Sequence, residues 1–113
     1  MKLITKPTSL TELWLAREVG FEDMMKMVID VEQEIIGVDA ELHADLEALL
    51  LDNGSRQHDI WGINIYPDQS DEDYIEFTAL INIRPSQANR SMEVENVQTR
   101  AKIREICARL LAR

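Results

Sequence analysis

Hydrophobic and polar residues alternate in two runs within residues 39–66, one on each side of Asn53-Gly54. An Asn-Gly pair favours a two-residue type I′ turn, and the register of that turn sets Leu46 opposite Trp61 on an apolar face. The pattern therefore predicts a β-hairpin over 39–66. A helix over residues 38–50 is the alternative, because alanine, glutamate and leucine are good helix formers. Its apolar face would consist of Val38, Leu42, Leu46, Leu49 and Leu50.

Two helices are predicted before this hairpin, after a short edge strand from Lys2 to Thr5. Ser9-Leu10-Thr11-Glu12 has the spacing of a capping box and predicts a helix start, and Gly20 predicts its end. The second helix is predicted from Glu22 to Ile36. It would bury Met24, Val28, Val31 and Ile35, with Gly37 as its stop.

One strand and one helix are predicted after the hairpin. Residues 67–73 form an acidic loop, and Tyr74 to Arg84 alternates in polarity, which predicts a strand that Pro85 ends. Asn96 is the predicted N-cap of a last helix that runs to Ala112. Together these elements predict a single α+β domain over residues 1–113, in the order α-α-β-β-β-α. Its sheet would be a three-stranded antiparallel meander with the helices packed on one face.

The distribution of charge limits the possible partners. The net charge is −9, but residues 1–83 hold 5 Lys and Arg against 18 Asp and Glu, whereas residues 84–113 hold 7 against 3. An acidic body disfavours nucleic acid as a partner, although the last helix is basic. No apolar run is long enough to cross a membrane, and the N-terminus lacks the basic segment and long apolar run that are typical of a signal peptide. We expect a cytoplasmic protein with no membrane association.

The polar side of the predicted sheet is the candidate site. A merely solvated face is the alternative, since antiparallel sheets commonly have one. Histidine, asparagine, tyrosine, arginine and carboxylates together are more typical of a binding surface, and Gly62 would leave a hollow beside them. The candidate ligand-binding residues are Glu41, His43, Asp45, Asn64, Tyr66, Glu76, Asn82 and Arg84.

His43 and Asp45 would emerge on the same side of a strand, so that the carboxylate could orient the imidazole. With Arg84 they are the catalytic candidates. No second histidine falls in register with His43, so the usual zinc set is incomplete and we predict neither a metal nor another cofactor. Cys107 lies on the apolar stripe of the last helix and is expected to be a small core residue rather than a nucleophile.

Two functions of different classes are compatible with this surface. The first is a non-enzymatic binding or assembly module that uses the polar sheet face or a sheet edge, with self-association or another protein as its partner. The alternative is a small hydrolase or lyase. In that case His43 would be the general base, Asp45 its orienting carboxylate, and Arg84 with Asn64 or Asn82 the polarising donors.

Four segments carry a family resemblance: E-L-H-A-D, D-N-G-S-R-Q, W-G-I-N-I-Y-P and I-E-F-T-A-L-I-N-I-R-P. With them the chain resembles a family of small prokaryotic proteins catalogued as a domain of unknown function. The resemblance implies no activity, cofactor or substrate. It implies a shared pattern of Glu41, His43, Asp45, Trp61, Asn64, Asn82 and Arg84. Relatives often have two glycines just before E-L-H-A-D, where this chain has Asp39-Ala40.

Overall fold

A computed structural model describes residues 1–113 and has an antiparallel five-stranded sheet at its centre. Its strands are β1 (Lys2–Ile4), β3 (Met25–Asp30), β4 (Ile35–Val38), β5 (Ile60–Ile65) and β6 (Ile75–Glu76), in the spatial order β1-β4-β3-β5-β6. A second, parallel pair joins β2 (Thr8–Ser9) to β7 (Leu111–Ala112). The helices are α1 (Leu10–Ala16), α2 (His43–Asp52) and α3 (Val97–Leu110). The protein is α+β, as predicted, but the element order and the sheet differ from the prediction.

Helices cover both faces of the sheet rather than one. Side chains of successive strand residues point to opposite faces. Met27, Ile29 and Ile63 pack with α1 and α3 in the larger hydrophobic core, whereas Val28 and Ile60 pack with α2 in the smaller one. The prediction of a one-sided meander is therefore wrong, because the segment expected to supply its first strand is a helix that covers the second face.

The predicted hairpin over 39–66 is wrong, and the helical alternative for its first half is correct. Residues 43–52 form α2, which buries Leu46 and Leu50, while β5 pairs with β3 instead. Asn53-Gly54 ends the helix: the Asn53 N–H donates to the Leu50 carbonyl, and Gly54 has a φ of 91°. A helix C-terminus and a type I′ turn both use a residue with positive φ, so the Asn-Gly pair alone does not distinguish them.

The predicted second helix, Glu22 to Ile36, is a β-hairpin made of β3 and β4. Five of the six residues of β3 are buried, so its sequence is a nearly continuous apolar run without alternation. The turn is held by Asp30, whose carboxylate accepts hydrogen bonds from the Glu32 and Gln33 N–H groups and from the Ser55 hydroxyl. Because the strand is buried on both faces, its sequence lacks the alternation of apolar and polar residues that distinguishes a strand from a helix.

The predicted strand from Tyr74 to Arg84 pairs with the sheet only at Ile75–Glu76. Beyond it the chain forms a 3-10 helix at Leu80–Asn82. The side-chain amide of Asn82 takes the place of a paired backbone there, because its Oδ1 accepts from the Gly62 N–H at 2.8 Å and its Nδ2 donates to the Gly62 carbonyl at 2.9 Å. Apolar and polar residues do alternate over this segment, but only Ile75–Glu76 continues the hydrogen-bonded pairing of the sheet.

Several local predictions are confirmed. The edge strand forms at Lys2–Ile4, and Ser9 and Asn96 cap their helices by accepting from the Glu12 and Thr99 N–H groups. Cys107 is fully buried in the core. No helix of the chain has the length and apolar character that a membrane crossing needs.

The backbone before α2 has an unusual conformation at Asp39. Asp39 has a φ of 73°, in the left-handed region that aspartate tolerates better than most residues. Its carboxylate accepts hydrogen bonds from the Glu18 and Val19 N–H groups. These bonds hold the connection between β4 and α2 against the loop that follows α1.

Candidate functional site

A row of three polar residues crosses the sheet on the face that α2 covers. Lys26 of β3 is opposite Asn64 of β5, and Asn64 is opposite Glu76 of β6. The next row on the same face is apolar, with Val28 opposite Gly62. The polar row therefore lies at one end of the covered face, beside the first turn of α2.

Asn64 is buried and only partly satisfied. Its Nδ2 donates to Glu76 Oε1 at 2.8 Å and to the Thr78 carbonyl at 3.2 Å. Both partners can only accept, so the orientation of the amide is determined by its own hydrogen bonds. The Oδ1 atom is buried and makes no well-formed hydrogen bond in the protein, although the Asn64 side chain is close enough to the His43 ring to raise its pKa. An unpaired buried acceptor is unusual and calls for an explanation.

His43 is the first residue of α2, and its ring stands over Gly62. Its Nε2 lies 2.8 Å from the Ile63 carbonyl oxygen, which can only accept, so Nε2 carries the hydrogen. Burial lowers the pKa of His43, and the charge of Lys26 lowers it further, against opposing effects of the Ile63 carbonyl and the Asn64 side chain. The neutral ring then has Nδ1 as an acceptor.

Lys26 makes no ion pair, and its ammonium group lies 5.3 Å from the centroid of the Phe21 ring. Near it, Leu42 occupies the N-cap of α2 and supplies no side-chain acceptor to the first turn. Helix N-termini carry unpaired N–H groups and a partial positive charge. Lys26 and the α2 N-terminus are therefore two sources of positive potential at the same end of the site, opposed there by the exposed carboxylates of Glu41 and Asp45.

These groups line a groove of about 480 Å³. Its apolar walls are formed by Met24, Leu42, Ala79, Leu80, Ile81 and Met92. Leu42, Leu80 and Met92 are exposed, at 57%, 71% and 40% of their maximal area. The groove thus combines an exposed apolar rim with polar groups of Lys26, His43 and Asn64, and we refer to it as the α2 groove.

Four of the predicted site residues come together at this end of the sheet. His43 and Asn64 line the α2 groove, and Glu76 accepts a hydrogen bond from Asn64. Tyr66 donates its hydroxyl to Glu76 at 3.3 Å, and burial, followed by the charge of Glu76, raises the pKa of its phenol. Glu41 is exposed and lines an adjacent cavity that also includes Lys26.

Asp45 is not brought to His43. Both residues lie in the first turn of α2, where side chains two positions apart do not face each other. Asp45 is exposed, and the ring of His43 is held by the Ile63 carbonyl. The expected pair depended on a strand at this position, and the structure has a helix there.

Asn82 and Arg84 are buried within the fold rather than presented on a surface. Arg84 donates hydrogen bonds to the carbonyls of Gln57, Ile60 and Ile81 and to Gln87 Oε1, and its guanidinium lies 4.2 Å from the Trp61 ring centroid. Burial lowers its pKa. It therefore joins the 3-10 helices at Gln57–Asp59 and Pro85–Gln87 to β5, and it has no carboxylate partner.

Sequence reasoning missed Lys26 and the apolar walls of the α2 groove. Lys26 falls within the predicted second helix, Glu22 to Ile36, and is not among its predicted buried residues. The available signal was that Lys26 is the one cation in the run Met25 to Asp30. Val28 and Ile29 in that run favour a strand. Leu80 lies within the predicted strand from Tyr74 to Arg84, and no local pattern connects it with Met92.

The fold and the groove define the class: an α+β protein with helices on both faces of an antiparallel sheet and a groove at the start of α2. No three His, Cys, Asp or Glu side chains lie together in a way that could hold a metal ion. The chain belongs to the family described as "Protein of unknown function (DUF5674)", whose model matches residues 2–110. No curated protein and no solved structure matches the chain.

Proposed function

We propose that the protein is a non-enzymatic binding module and that the α2 groove is its recognition site. The observation that carries the proposal is Asn64 Oδ1, a buried acceptor without a partner, in a groove with exposed apolar walls. Leaving such a group unpaired costs about 1–3 kcal/mol, and a donor that reaches Oδ1 after a shift of the residues covering it would recover part of this. Ligand sites typically combine apolar walls with a few convergent polar groups.

Binding is favoured over catalysis by the surroundings of His43. A general base needs an orienting partner and room to reach a substrate proton. Here the ring of His43 is oriented by the Ile63 carbonyl and has no carboxylate partner, Asp45 is exposed, and the donors of Arg84 are occupied by backbone carbonyls. The hydrolase or lyase interpretation loses Asp45 as the orienting carboxylate and Arg84 as a polarising donor.

The five methionines provide a direct test of the α2 groove. Met24 and Met92 line it, whereas Met25 and Met27 are buried in the larger core. In protein labelled with ¹³C at the methionine methyls, binding of small molecules from a fragment set should shift the Met24 and Met92 resonances. The Met25 and Met27 resonances serve as internal controls and should stay in place.

Two results would refute the proposal. In the first, no fragment of the set shifts the Met24 or Met92 methyl. In the second, the fragments bind but act equally on Met25 and Met27, which would indicate a general change in the core rather than occupation of the α2 groove.

Self-association through the rim of the α2 groove is a second candidate, favoured by the 71% exposure of Leu80. The partner would then be a second copy of the chain, since exposed apolar side chains grouped together, as Leu42, Leu80 and Met92 are, mark an interaction surface. Light scattering should give a mass above that of the monomer, and Leu80→Ser should reduce it. Leu15→Ser is the control, because Leu15 is equally exposed on α1.

A cytoplasmic location forms part of the proposal. It is supported by the single cysteine, Cys107, which is fully buried and makes no disulfide. Disulfides concentrate in secreted proteins, and reduced cysteine is typical of the cytosol. Cell fractionation with an antibody against the protein would test it, and recovery in an extracellular or membrane fraction would contradict it.

A further inference from the structure

The α2 groove is lined by a residue that holds an unpaired buried polar atom. Only two buried side-chain polar atoms lack a hydrogen-bond partner, Arg17 Nε and Asn64 Oδ1. The Arg17 guanidinium is stacked 3.6 Å from the Trp14 ring centroid and donates to the Trp14 and Phe21 carbonyls. Asn64 differs because it lines a groove that is open to solvent.

The geometry points to a small α-amino acid with an apolar side chain as the ligand of the α2 groove. This inference rests on the proposed function, since it names the ligand class of the same groove. Each part of such a ligand matches a different part of the groove: a carboxylate, an ammonium group and an apolar side chain.

The carboxylate matches the positive end of the polar row. Lys26 has no carboxylate within ion-pair distance, and the first turn of α2 has no side-chain cap. Helix N-termini bind anions through their free N–H groups, and a lysine ammonium adds a full charge. Lys26, Leu42, His43 and Ala44 all line the α2 groove, so one carboxylate can approach both groups.

The ammonium group matches the rest of the row. Asn64 Oδ1 needs a donor, and Glu76, which already binds the Nδ2 of Asn64, places a negative charge beside it. Lys26 and Asn64 are directly opposite on neighbouring strands, where Cβ atoms lie about 4.5–5.5 Å apart. The carboxylate of the ligand, which binds Lys26, and its ammonium group, which binds Asn64, must therefore be close together, as they are on the α-carbon of an amino acid.

The charge of the whole protein favours a zwitterion over a simple anion. The net charge is −9, so the long-range field repels a free carboxylate. A zwitterion has no net charge, and its two groups match the order of charge along the row, from Lys26 through Asn64 to Glu76. His43 adds no competing charge in its neutral form, and its Nδ1 is an additional acceptor.

The apolar side chain matches the walls. Met24, Leu80, Ile81 and Met92 form a surface without a charged group, and methionine adapts to side chains of different shape. A branched or thioether side chain would cover the exposed area of Leu80 and Met92. A short acidic or basic side chain would not.

The test compares L-leucine with two analogues that each lack one polar group. Titration of ¹³C-methyl-methionine protein with L-leucine should shift Met24 and Met92. 4-Methylpentanoate lacks the ammonium group and L-leucinamide lacks the carboxylate, so each should bind at least about tenfold more weakly. Lys26→Met should weaken L-leucine binding to a similar extent, whereas Lys2→Met on the exposed start of β1 should not.

Each outcome decides the inference. Leucine binding with the stated loss for both analogues supports it. Equal binding of either analogue, or unchanged leucine affinity in a folded Lys26→Met protein, overturns it. If fragments shift Met24 and Met92 but L-leucine does not, the amino-acid assignment fails while the proposed function stands.

Discussion

Gly62 provides a sensitive test of the packing above the α2 groove. An alanine Cβ at this position would lie 2.5 Å from the Cβ of Ala79 and 3.1 Å from Cγ1 of Ile81. The Cβ of Ala79 cannot rotate away, so relief of the contact requires the backbone of the 79–82 segment to move away from β5. Gly62→Ala should therefore destabilise the protein by separating this segment from β5.

The magnitude follows from the bonds that this movement would break. The Gly62 N–H and carbonyl both bond to the Asn82 side chain, at 2.8 and 2.9 Å. Each bond contributes about 1 kcal/mol net. The steric strain adds about 1–3 kcal/mol. We expect a total loss of roughly 3–5 kcal/mol, a large fraction of the 5–15 kcal/mol that stabilises a typical domain.

Urea denaturation followed by tryptophan fluorescence measures this loss, since Trp61 is buried on the same strand. The slope of the free energy against urea should stay constant if only stability changes. Gly20→Ala is the control, because no atom lies within 4 Å of its added Cβ, and its effect should stay within about 0.5 kcal/mol. A Gly62→Ala loss within about 1 kcal/mol of the control would refute the tight packing of Ala79 on β5.

Three further predictions concern individual side chains. Arg84→Met should cost about 2 kcal/mol or more and Arg84→Lys should not restore it, whereas the exposed Arg56→Met should be neutral in the same urea assay. Burial lowers the pKa of His43 below 6.5, so this imidazole binds a proton more readily in the unfolded chain than in the folded protein. The contribution of His43 to stability is therefore complete above about pH 6.5 and declines as the pH falls below that value. His43→Gln should flatten that decline and His58→Gln should retain it. Burial raises the pKa of Cys107 to about 12, so Ellman's reagent should react slowly with native protein and rapidly in urea; equal rates would contradict the packing of α3.

Sequence reasoning succeeded where a structure depends on adjacent residues. The caps at Ser9 and Asn96 use a side chain and an N–H group three positions away, so the pattern of a few residues is sufficient. Cys107 was correctly placed in the core because α3 keeps one apolar stripe along its length. The α+β class followed from the same kind of local periodicity.

The failures occurred where one local pattern fits two structures. Asn53-Gly54 supplies a positive φ that suits a hairpin turn and a helix C-terminus equally well. The run from Met25 to Asp30 lacks alternation because the strand is buried on both faces. In each case the decision depends on a contact with a distant segment: Leu46 and Leu50 of α2 pack beside Val28 of β3.

The residues of the candidate site, but not their arrangement, could likewise be predicted from the sequence. The residue types at His43, Asn64, Tyr66 and Glu76 were sufficient to mark them as candidates from the sequence. Their arrangement depends on the pairing of β3, β5 and β6, which sets Lys26, Asn64 and Glu76 in one row although they are 38 and 12 positions apart. Only the tertiary structure decides such a row, because register between strands is determined by burial of the whole sheet rather than by neighbouring residues. The same burial leaves Asn64 Oδ1 without a partner, and no pattern in the sequence reveals an unsatisfied atom.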